Sequence, residues 1–139
     1  MATHYGTQMT KLMVTRTPAE VGDVGGRVRS FIETVALNGQ AINDIIYVAR
    51  LPVNSRIIGI YLNSSVTLGL SEVEVGIPGT ASKYRAAATL TTPNEWVACE
   101  LNAVVGVALA EKEDIILTNL VAALPGAGTL KVLTKYTID

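Results

Sequence analysis

The stretch LPVNSRIIGIYLN, Leu51–Asn63, decides how the rest of the chain is read. It opens on a polar corner, because Pro52 fixes its own φ and the side chains of Asn54 and Ser55 bond readily to nearby backbone. From Arg56 the residues take the two-residue period of a strand. Arg56, Ile58, Ile60 and Leu62 share one face, and Ile57, Gly59 and Tyr61 share the other. Both faces are mainly apolar, which predicts a central strand covered on each side. The arrangement returns at Leu109–Leu120, LAEKEDIILTNL, where a charged corner again opens directly into an apolar strand.

Working outward, Arg27–Leu37 (RVRSFIETVAL) and Asp44–Leu51 (DIIYVARL) read as strands separated by the turn dipeptide Asn38-Gly39. Beyond the central stretch, Glu72, Glu74 and Gly76 alternate with Val73, Val75 and Ile77 in a one-sided strand that Pro78-Gly79 stops. Ser82–Glu95 predicts a long loop with one helical turn at Tyr84–Ala88. Trp96–Leu101 reads as a strand, and Val104, Val105 and Val107 make Asn102–Ala110 extended in spite of its alanines. Asp114–Leu120 and Thr129–Ile138 complete the set, with Pro125–Gly128 as a turn between them. No segment carries a 3.6-residue apolar stripe. The pattern predicts an all-β fold: a single β-sandwich or jelly-roll-like domain of seven to eight short strands over residues 27–139.

Residues 1–26 differ from that domain. Met1–Gly26 is rich in Thr and Gly and has no sustained period; Met9, Leu12, Met13 and Val14 form its one apolar patch. Two readings stand: a disordered terminus, or an extended N-terminal arm that lays this patch across a neighbouring subunit.

Composition narrows the function. At 139 residues the chain holds one domain, yet 49% of it is hydrophobic, its mean hydropathy is +0.37 and only 17% is charged. So small an interior leaves apolar surface to bury against other subunits, which points to an oligomer or a component of an assembly. A net charge of −1 with eleven scattered basic residues argues against direct nucleic-acid binding. No apolar run approaches the ~18–20 residues of a membrane-spanning helix, and no secretory signal pattern opens the chain, so assembly inside a cell is expected.

The search for chemistry finds no constellation. The single histidine, His4, lies in the terminal segment, away from any residue that would position it for a nucleophilic or metal mechanism. Glu72 and Glu74 share one strand face, as a solvated pair or, for an enzyme, as a carboxylate site. Glu111, Glu113 and Asp114 surround Lys112 in an acidic corner without EF-hand spacing. Gly22–Gly26 lacks the Lys-Ser/Thr of a phosphate loop. The lone Cys99 excludes an internal disulfide and reads as a small buried filler. Trp96 reads as a buried core anchor or, with Tyr84 and Arg85, as a sugar-stacking platform. No catalytic residue, cofactor or metal is expected.

The run RVRSFIETVALNGQAINDIIYVARLPVNSRIIGIYLNSS, followed by SEVEVGIPG and later LAEKEDIILTNL, resembles the small β-sandwich decoration, or cement, proteins of tailed-bacteriophage capsids. The likeness lies in the order of strands and corners over most of Arg27–Asp139, and the smallest, lambda-type members do not share it. It implies a non-enzymatic virion protein on the capsid exterior, often a homo-trimer, clamping major capsid protein subunits. Met9, Leu12, Met13, Val14, Tyr84 and Arg85 are then the candidate partner contacts, with no nucleic acid or membrane involved. The competing expectations are another head–tail or tail protein, and a carbohydrate-binding jelly roll.

Overall fold

The computed structural model describes residues 15–16, 27–101 and 104–138. Apart from residues 15–16, the predicted N-terminal arm, with its apolar patch and His4, lies outside the described residues. Among the described residues eight strands form: β1 (Arg27–Ala36), β2 (Ile45–Leu51), β3 (Arg56–Ser64), β4 (Glu72–Ile77), β5 (Thr80–Thr89), β6 (Val97–Ala98), β7 (Glu113–Leu120) and β8 (Thr129–Ile138). They make two four-stranded antiparallel sheets, ordered β1-β8-β3-β6 and β2-β7-β4-β5. First pairs with last, second with seventh, third with sixth and fourth with fifth. A ribbon wound in this way is a jelly roll, and the predicted β-sandwich is the fold observed.

The core lies between the sheets, where Leu51, Ile57, Ile60, Leu62, Val73, Val75, Ile115, Leu117, Leu130 and Val132 are almost fully buried. The two corners that echo each other in the sequence lie against one another. Asn54 N–H donates to Leu109 O and Leu109 N–H to Ser55 O, both at 2.9 Å, and Arg56 bridges to Ala108. One corner carries the chain from β2 in the second sheet to β3 in the first. The other belongs to the return from β6 to β7, so their likeness reflects one task performed twice.

Alternation in β3 breaks at a bulge. Ile57 pairs with Tyr136 and Gly59 with Lys135, leaving Ile58 as the extra residue. Ile57 therefore faces the core together with Ile60 and Leu62, whereas Ile58, expected beside Ile60, turns to the exterior. The strand is central, flanked by β8 and β6, but only its inner side is packed in the core. On the outside the Tyr61 ring lies over Gly59, where a Cβ would come within 2.6 Å of it.

Three further expectations are corrected. The loop at Ser82–Glu95 is mostly strand, because β5 runs from Thr80 to Thr89 without a helical turn. Pro78-Gly79 stops β4 as expected, and does so as a hairpin tip, with Ile77 and Thr80 paired across it. Alanine's weak strand propensity concealed β5, and sheet pairing overrides it. The strand at Trp96–Leu101 contracts to the two residues of β6, and at Val104–Gly106 the chain turns, where extended structure was expected.

Candidate interaction site

Of the predicted contact residues, Tyr84 and Arg85 are among the described ones. Met9, Leu12, Met13 and Val14 lie outside the described residues. Tyr84 is 1% exposed and belongs to the core. Its hydroxyl donates to Glu113 Oε1, and Lys83 Nζ holds the other carboxylate oxygen at 2.6 Å. Burial, and then the bond to Glu113, raises the Tyr84 phenol well above its ordinary range, so the hydroxyl stays a donor. Tyr84→Phe is expected to cost about 1.5–3 kcal/mol in urea unfolding, the loss of a bond to a charged group, with Lys83 still satisfying one oxygen. A change below about 0.5 kcal/mol would show that Glu113 needs no phenol.

Arg85 also turns inward on its own hairpin. Nε lies 3.3 Å from Val73 O, and Nη2 lies 3.5 and 3.4 Å from the carbonyls of Ala88 and Thr89. The regular pairs Val73↔Ala88 and Glu72↔Thr89 lie beside a bulge, where Ala86 and Ala87 together face one residue, Glu74. Arg85 also lines a cleft of about 390 Å³ between β5 and β6, with Lys83, Val97, Ala98 and Glu100.

Trp96 does not anchor the core: it is 49% exposed in the loop before β6. The buried aromatic is Tyr84, so the two residues do not form a shared stacking platform. Cys99 is buried as expected, and burial pushes its thiol up to about 11, well away from a reactive thiolate.

The acidic corner is divided between protein partners. Glu113 is held by Tyr84 and Lys83. Asp114 accepts from Arg50 Nε at 2.5 Å and Nη2 at 3.0 Å, and this fork holds its carboxyl below the ordinary 3.8. Glu72 and Glu74 do share a face, as predicted, in register with Leu120 and Thr118 of β7. They point outward, and neither is ion-paired among the described residues.

Sequence reasoning missed the exposed apolar groups on the outer strand faces. Val28 and Ile32 on β1 and Ile45 and Tyr47 on β2 are all strongly exposed. In sequence they look like core residues, since alternation separates two faces without saying which one is covered.

No protein-family model matches the sequence, and no curated protein matches it. Solved structures share its fold. A chain of the cyanophage Pam1 capsid asymmetric unit superposes with a TM-score of 0.65 at 21% identity, covering 82% of this chain and 86% of that one. A chain of the Ralstonia phage GP4 capsid gives 0.65 at 19% identity over the same shares. A chain of the acid-stable capsid of Helicobacter pylori bacteriophage KHP30 gives 0.62 at 10% identity, covering 80% and 87%. The chain thus has the fold of chains found in three phage capsids.

Proposed function

We propose that this chain is a non-enzymatic structural protein of a tailed-phage virion, and more specifically a decoration or cement protein that binds the capsid exterior and stabilises the shell. The observation that carries the proposal is the extent of the fold likeness, which takes in more than four-fifths of both chains for two phage-capsid structures. The chemistry agrees with it. The buried Tyr84 and the partly buried Lys83 and Glu113 satisfy one another, as structural groups do, and the apolar surface not used by the core lies outside. Its partners are major capsid protein subunits and other copies of itself, with a trimer at threefold positions as the favoured assembly. Residues 1–26 serve as an arm that reaches a neighbour.

The test is cosedimentation of the full chain with purified shells that lack it, together with the melting temperature of the decorated shell. Saturable binding that raises shell melting is expected, and removal of residues 1–26 should weaken binding at least about tenfold while the β domain still melts cooperatively. No binding to any shell state would overturn the proposal. A truncated chain that failed to fold would place the segment in the core.

One observation favours a second reading, carbohydrate binding: Trp96 is half-exposed close to the β5–β6 cleft. A glycan-array signal lost in Trp96→Ala would support it over the capsid reading.

A further inference from the structure

We infer that copies of this chain associate heterologously, the outer face of β1-β8-β3 on one copy packing on the outer face of β2-β7-β4 on the next. The inference deepens the assembly proposed above and rests on it only in taking the chain to be oligomeric.

The first face has an apolar centre and a positive surround. Ile32, Leu133 and Tyr61 stand in register across three strands, and Val28 lies on the same side of β1. Val28 and Ile32 are 62% and 63% exposed, too open for residues of a finished core. Lys131 and Lys135 flank Leu133 on β8, with Lys135 Nζ 5.6 Å from the Tyr61 ring centre. The one carboxylate on these strands, Glu33, has the opposite parity, in register with core-facing Val132.

The second face exposes apolar side chains along its β2 edge and carboxylates on β4, while Ile116, Thr118 and Gly76 between them are buried. Tyr47, Ile116 and Gly76 form one row, and Ile45, Thr118 and Glu74 form the next. Ile45 and Tyr47 are 57% and 60% exposed. The one cation on these strands, Arg50, is held by Asp114, which leaves Glu72 and Glu74 uncompensated. Thr118 Oγ1 is buried in this face without a hydrogen-bond partner.

Charge decides which face meets which. Either face against itself would set Lys on Lys or Glu on Glu around an apolar contact, and like charges so placed are costly. Opposite faces match in charge sign, and the exposed apolar groups, Val28 and Ile32 on one face and Ile45 and Tyr47 on the other, can cover each other. Such a contact is head-to-tail.

The experiment is sedimentation velocity of the full chain across a concentration series. Lys131→Glu with Lys135→Glu should weaken association at least about tenfold, and so should Glu72→Lys with Glu74→Lys. The quadruple variant exchanges the two signs and should restore association to near that of the wild type. Thermal melts verify that all three variants fold. The inference is overturned if either double variant associates like the wild type, if the quadruple variant stays as weak as the doubles, or if the wild type is monomeric on the order of 0.1 mM. The shell assay separates the two proposals. Self-association that obeys charge reversal without shell binding removes only the capsid role, and shell binding with association indifferent to reversal removes only this interface.

Discussion

Gly76→Ala is expected to destabilise the domain by about 3 kcal/mol, a fall in melting midpoint on the order of 10 °C. A Cβ built at Gly76 meets Thr80 O at 2.2 Å and the carbonyl carbon and oxygen of Ala81 at 2.5 Å. These are backbone atoms, so no side-chain rotation relieves the clash. The cause is the irregular pairing of the β4–β5 hairpin. Between the pairs Val75↔Arg85 and Ile77↔Thr80, residues 81–84 of β5 face Gly76 alone, and the start of β5 folds closely over it. Displacing that segment would also disturb Tyr84 and Lys83, which hold Glu113. Gly79 is the control. It has a φ of +90° and nothing within 4 Å of an added Cβ, so Gly79→Ala carries conformational strain alone, about 1 kcal/mol. Equal melting shifts for the two variants would refute the close crossing at Gly76.

At two adjacent positions in β7, opposite signs are expected. Leu117 is fully buried, in register with Ile46 and Val75 at the centre of its sheet. Leu117→Ala removes apolar contact and leaves a cavity between the sheets, which costs about 3–4 kcal/mol. That is a large share of the ~5–15 kcal/mol by which a domain of this size is stable. Thr118 points the other way, with its hydroxyl enclosed and unbonded. Thr118→Val keeps the shape and removes the orphan group, so it should be neutral or stabilising by up to about 1 kcal/mol in the monomer. Urea unfolding of both variants measures the difference. A destabilised Thr118→Val would mean that the hydroxyl has a partner in solution, and it would be tested next for an effect on self-association.

Such large effects in single residues show where stability and assembly separate. The core variants act on folding, whereas the charge reversals lie on outer faces and act on association. Any loss of shell binding in Gly76→Ala or Leu117→Ala must therefore be read against the melting data.

The all-β class, the sandwich and most strand positions are legible in local sequence patterns. Period-two alternation and turn residues such as Asn38-Gly39 and Pro52–Ser55 are local properties, and local chemistry enforces them. The shared face of Glu72 and Glu74 and the burial of Cys99 are legible in the same way. Which face of each strand is covered depends on long-range pairing and packing, which no local pattern encodes. The bulge at Ile58 reverses the alternation of β3, and no local pattern except Gly59 hints at it. The alanine-rich β5 is a strand because β4 pairs with it. Tyr84 lies in the core and Trp96 at the surface because of where Glu113 and the short β6 fall after folding. The opposed charges of the two outer faces were equally hidden. Lys131 and Lys135 lie far along the chain from Val28, Ile32 and Tyr61, and pairing of the first strand with the last brings them onto one surface.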